Sequence, residues 1–127
     1  MSKIKNGTIA EMMVCAQALK SGFTVFTCLD HNSTIDLIIV NKNKNLFKIQ
    51  VKKAFVKDDG FYIETRRRTD SKPEKYKCSD FDYCIACEIM SNNFWLIPID
   101  VFLGYKSAIK LDSKKVKQFN RNWDQLR

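Results

Sequence analysis

The spacing of apolar positions changes several times along the chain, and each change predicts an element. From residue 6 to 22, NGTIAEMMVCAQALKSG, apolar residues recur at helical intervals. Ile9, Met12, Met13, Ala16 and Leu19 fall on one stripe, and Gly22 follows as a stop. Thr8 and Glu11 stand three apart at its start, in the capping-box pattern. The period then shortens to that of strands. FTVFTCL, IDLIIV, the long LFKIQVKKAFV and FYIETRR are expected strands, with DHNST, NKNKN and KDDG as the turns between them. A charged, proline-containing loop, RTDSKPEKYKCSD, separates these from two more strands, DYCIACEIM and FWLIPI, which turn about SNN. The tail SKKVKQFNRNWDQLR predicts a helix with Val116, Phe119, Trp123 and Leu126 on one side. No repeat, low-complexity tract or linker interrupts this order. It predicts a single domain over residues 1–127, of α/β or α+β class, with a central mixed β-sheet flanked by helices.

Charge narrows the range of partners. Lys and Arg number 22 against 14 Asp and Glu, a formal net charge of +8, which favours a polyanion such as nucleic acid. A lysine-rich solvated surface is the alternative. No apolar run approaches the roughly 20 residues that span a bilayer, and the first residues lack the apolar segment of a signal peptide. The expectation is a cytoplasmic protein without membrane contact. Five cysteines, an odd and scattered set, argue against a disulfide framework. Cys84 and Cys87 form a CxxC, but on a strand they face opposite ways and cannot share an ion, so they read as buried thiols.

Three polar residues interrupt strands that otherwise look like core. On the long strand, Phe47, Ile49 and Val51 share one face, and Lys48, Gln50, Lys52 and Ala54 the other. A hairpin folded about NKNKN brings Asp36 alongside Gln50 and Lys52. A carboxylate and neutral oxygens suit a hard divalent cation, and the ammonium suits a developing negative charge. The plainer alternative has Asp36 ending a turn and the other two lining a solvated face.

The pattern of an acid in IDLIIV followed, after a hairpin, by QVK resembles the PD-(D/E)XK nuclease motif. The flanking order also resembles that family, especially the homing endonucleases encoded by bacterial group I introns: a helix bearing Glu11, SGFTVFTCLD, SDFDYCIA, FWLIPID and a closing NWDQL. The resemblance implies a restriction-endonuclease-like core. It makes Asp36 the metal-bridging acid, Gln50 the occupant of the usual Glu/Asp position, Lys52 the motif lysine and Glu11 a further ligand from the helix. Gln50 departs from the general motif, whereas the intron-encoded branch is known for glutamine there. The implied cofactor is Mg²⁺, with Mn²⁺ as a substitute, held by Asp36, the Gln50 oxygen, Glu11 and the Val51 carbonyl. His31, the single histidine, argues against the histidine-dependent HNH class.

Double-stranded DNA is the expected partner, on a track formed by Lys53, Lys57, Arg66, Arg67, Arg68, Lys72, Lys75 and Lys77. Tyr76 and Tyr83 are candidate base-stackers with a competing place in the core or rim. Cutting both strands takes two sites, which implies a homodimer or higher symmetric assembly, with FWLIPIDVFLGY and the closing helix as interface material, and the resemblance to the intron-encoded branch raises a homotetramer. The function expected is a metal-dependent DNA endonuclease of homing or mobile-element type. A Holliday-junction resolvase of the same fold and a catalytically silent DNA-binding subunit are the alternatives.

Overall fold

Helix α1 (Lys3–Lys20) opens the computed structural model, which describes residues 3–67 and 74–127. The helix starts upstream of Thr8, so Thr8 and Glu11 lie inside it and do not form the expected capping box. Its buried stripe is Ala10, Val14 and Ala18, while Met12 and Leu19 from the predicted stripe are 66% and 58% exposed. Small side chains at every fourth position let the helix lie close against the sheet, which decides the face over side-chain hydrophobicity. Gly22, at φ 93°, ends the helix as expected, and the Phe23 amide returns to the Ala18 carbonyl at 3.1 Å.

Strands β1 (Thr24–Thr27), β2 (Leu37–Val40) and β3 (Leu46–Lys53) follow as an antiparallel meander. The predicted long strand breaks at Ala54, whose amide bonds to the Cys87 carbonyl at 2.8 Å. Beyond the break, β4 (Phe55–Lys57) pairs with β5 (Gly60–Glu64), so the chain leaves one sheet for another. FYIETRR breaks likewise at buried Thr65, beyond which β6 (Arg66–Arg67) pairs with β7 (Glu74–Lys75) as a small ribbon. The chain returns in β8 (Tyr83–Glu88), parallel to β3, and β9 (Asn93–Pro98) completes a mixed sheet in the order β1-β2-β3-β8-β9. A four-residue helix α2 (Ile99–Phe102) leads to β10 (Ala108–Lys110), which joins β5 and β4 in a second sheet.

Two apolar layers sandwich the main sheet. Ile49, Val51, Ile85, Cys87, Phe94 and Leu96 pack under α1, while Cys84, Ala86, Trp95 and Ile97 face the layer shared with Ile63, Phe81, Phe102 and Ile109. Cys84 and Cys87 thus lie in different layers, as strand alternation requires.

The tail does not form the predicted helix. Two 3₁₀ turns, Lys117–Phe119 and Trp123–Leu126, flank an extended Asn120 and a left-handed Arg121 at φ 53°. The Arg121 amide bonds to the Phe94 carbonyl at 2.8 Å and the Asn120 side chain to the same oxygen at 3.0 Å, so strand β9 takes the bonds a helix would use. Val116 packs in one layer and Trp123 and Leu126 in the other, so the chain passes from one layer to the other, which a single helical stripe could not do. Within FWLIPIDVFLGY, Phe94, Trp95, Leu96, Ile97 and Phe102 are buried within the protomer and cannot serve as interface material, while Pro98 to Val101 and Leu103 to Tyr105 are partly buried or exposed. Among the described residues, no helix is long and apolar enough to cross a membrane.

Candidate active site

Leu37 stands opposite Ile49 in the β2–β3 register, which puts Asp36, one residue earlier, opposite Gln50. The Asp36 amide donates to the Ile49 carbonyl at 2.8 Å and so fixes the backbone there. One carboxylate oxygen, Oδ2, accepts from Gln50 Nε2 at 2.6 Å and from the Val51 amide at 2.7 Å. Gln50 is 9% exposed, and its Nε2 also lies 3.3 Å from the Val51 carbonyl. Asp36, the Gln50 amide and the Val51 carbonyl are therefore brought together as the strand pattern predicts.

The electrostatics match a carboxylate short of positive charge. Burial, first of all, raises the Asp36 carboxyl to about 6 from an ordinary 3.8, the Glu11 charge adds to the rise, and the Val51 amide and Lys52 oppose it. Glu11 on α1 is itself raised by burial, an effect that His31 counters. Beneath the site, Cys84 is the register partner of Gln50, and burial pushes its thiol up to about 12, so it stays protonated and inert.

Lys52 lies two residues along from Gln50 on the same strand face. Its Nζ donates to the Arg66 carbonyl at 3.2 Å and sits 5.0 Å from the centre of the Tyr76 ring. Tyr76 is 7% exposed, which places it in the core and not on a surface open to bases. Tyr83 is partly buried, edge-on to Phe47 at 6.0 Å. Neither the approach of Tyr76 to Lys52 nor that of His31 to Glu11 has a signal in local sequence, because both depend on how the loops fold back.

The basic residues divide into groups. Lys53 is exposed at the end of β3, and Lys57 is exposed at the β4–β5 turn. On the ribbon, Arg66 pairs with Lys75 and Arg67 with Glu74. Both arginines are half-buried, and Arg67 Nη2 donates to the Asn32 carbonyl at 2.7 Å. Lys75 and Lys77 are exposed, while Arg68 and Lys72 lie outside the described residues.

Among the described residues no three Asp, Glu, His or Cys side chains gather as a metal cluster. A cation here would rest on carboxylate, amide and carbonyl oxygens together. The observed set fits that need: both donors described at Asp36 meet the same oxygen, Oδ2, and the Gln50 amide needs only to turn over about its terminal bond to present C=O in place of NH₂.

A sheet that sets an acid opposite Gln-x-Lys in a mixed α+β fold defines a nuclease class, and the sequence comparison agrees. The profile of the PD-(D/E)XK endonuclease family matches residues 1–125, and the chain belongs to that family. Among solved structures it is similar to a bacterial homing endonuclease, I-Ssp6803I, with a TM-score of 0.89 and 26% identity, covering 99% of this chain and 93% of the other. No curated protein sequence matches significantly.

Proposed function

We propose that the protein is a Mg²⁺-dependent endonuclease of double-stranded DNA, of the homing or mobile-element kind, acting as a single cytoplasmic domain. The observation that carries this reading is the Asp36–Gln50 contact with Lys52 beside it on the same strand face. The likeness to I-Ssp6803I supports the choice of DNA and of homing within the endonuclease family.

Asp36, the Gln50 oxygen and the Val51 carbonyl would hold the cation, with Glu11 reaching in from α1. Mn²⁺ suits the same oxygens. Bound there, a divalent cation supplies positive charge to the scissile phosphate and to the attacking water. Lys52 orients that water or neutralises charge on the phosphate in the transition state. Solvent protonates the leaving oxygen. Lys53, Lys57, Arg66, Arg67, Lys75 and Lys77 position the phosphate backbone. Two copies of the chain, or four, supply the second site that a double-strand cut requires.

The test is incubation with linear, supercoiled and four-way-junction DNA, with Mg²⁺ or with EDTA. Cleavage of duplex that needs the metal and is lost in Asp36→Ala and Lys52→Ala, with DNA binding retained, is the expected result. Selective cutting of the junction would make the protein a resolvase. Binding without cutting, steeply salt-dependent and indifferent to metal, would make it a silent subunit.

A further inference from the structure

We propose that Tyr76 is a positioning residue for Lys52, holding the ammonium over its ring so that the lysine points at the Asp36–Gln50 pair. The inference rests on the nuclease reading above and adds a residue to it. Lys52 Nζ lies 5.0 Å from the ring centre and 3.2 Å from the Arg66 carbonyl. These two partners lie on opposite arms of one ribbon: Arg66 is in β6, and Tyr76 directly follows β7. The ribbon therefore reaches the ammonium through a carbonyl oxygen on one arm and an aromatic face on the other, and both groups attract a cation.

The ring is itself held in place. Tyr76 meets Phe81 at 5.3 Å and 83° and Phe102 at 5.6 Å and 72°, and those two rings meet each other at 5.2 Å and 80°. Three mutually edge-on rings leave little freedom to rotate, so the face turned to Lys52 is fixed. Burial raises the Tyr76 hydroxyl well above its ordinary range, so the ring stays neutral wherever the enzyme works. A flexible four-carbon side chain beside a cation site would otherwise sample many rotamers, and restricting it is a recognised route to rate.

The same ribbon carries Arg66, Arg67 and Lys75. Seating those cations on DNA and aiming Lys52 would then be mechanically one event.

The experiment compares Tyr76→Phe, Tyr76→Leu and Phe81→Leu in the full chain. Single-turnover cleavage, DNA affinity in EDTA, thermal melting and the NMR shifts of the Lys52 side-chain methylenes are measured for each. Tyr76→Phe should keep the wild-type rate. Tyr76→Leu should lose roughly ten-fold in rate with DNA affinity unchanged. Phe81→Leu loosens the Tyr76 ring without removing the face that Lys52 meets, and should melt lower while losing only a small part of the rate that Tyr76→Leu loses. The Lys52 methylenes should be shifted upfield by the ring in the wild type and in Tyr76→Phe, and the shift should be lost in Tyr76→Leu. A full rate in folded Tyr76→Leu, or an equal loss in Phe81→Leu, overturns the inference. So does an absent upfield shift in the wild type, whether or not the protein cuts DNA. A Lys52→Ala variant that still cleaves would instead strike the role given to the lysine and take this inference with it.

Discussion

Asp36 and Gln50 face each other across two antiparallel strands, and the 2.6 Å contact between them joins a half-buried carboxylate to a buried amide. A carboxylate meeting an amide in this way is hydrogen-bonded, yet neither the Gln50 amide nor the Val51 N–H brings a charge to balance its own. That residual charge is what a cation would neutralise, and it is also a strain on the folded protein. Several measurable consequences come from this tension.

Asp36→Asn should stabilise the metal-free protein at pH 8 while abolishing cleavage. Folded Asp36 titrates near 6 against an ordinary 3.8. Between those values the folded chain keeps a proton that the unfolded chain has shed, so stability falls as pH rises through the window and stays lower above it. The shift corresponds to a penalty of about 2–3 kcal/mol, from which the amide should recover about 1–2 kcal/mol, or roughly 5 °C in melting temperature. Melting both proteins at pH 8 and pH 5 checks the sign, because the gain should shrink where wild-type Asp36 is protonated.

Mg²⁺ should bind in competition with that proton. With Asp36 near 6, affinity should be flat above pH 7 and weaken below pH 6, approaching about ten-fold per pH unit. Calorimetric titration between pH 5 and pH 7.5 measures this. A flat profile across that range would remove Asp36 from the ligand set.

Gln50→Glu restores the acid usual in the wider family, but places a second carboxylate against the first. Like charges at contact distance raise each other's pKa. The variant should bind Mg²⁺ more tightly at pH 8, melt lower than wild type without metal, and recover on adding it. Melting scans with and without Mg²⁺ separate the two effects.

Asn41 offers a control remote from the chemistry. It is 6% exposed; its Nδ2 donates to the Leu126 carbonyl at 3.0 Å, and its Oδ1 accepts from the Asn43 and Asn45 amides, each at 3.0 Å. Asn41→Ala strands a buried carbonyl and loosens the β2–β3 turn, and should cost about 2–3 kcal/mol in denaturant unfolding with metal affinity unchanged.

Much of the site is visible in the bare sequence because strand geometry allows few choices. Once NKNKN is a hairpin turn, period-two alternation alone sets Asp36, Gln50 and Lys52 on a shared face, and the β2–β3 register agrees. The buried face of helix α1 is less legible, because hydropathy favours Met12 and Leu19 while close packing favours Ala10, Val14 and Ala18. The tail misleads for a similar reason. Its apolar spacing is helical, but the Asn120 side chain and the Arg121 amide bond to the Phe94 carbonyl, and the chain passes to the other apolar layer. Tyr76 could not be placed from its neighbours in sequence, since its position beside Lys52 depends on how the ribbon pairs.

The parallel pairing of β3 with β8 has a consequence for engineering. Everything from Ala54 to Asp82 is an excursion between two strands that end up side by side. Such an excursion can lengthen or shorten at an exposed turn such as that at Asp58 and Asp59, while Ile63, Tyr76 and Phe81 stay buried in the second apolar layer and β5 stays paired with β10. A change made within it leaves the Asp36–Gln50 contact in place, because both residues lie outside it. Any replacement must refill that layer, keep the pairing with β10, and still deliver a carbonyl and an aromatic face to Lys52.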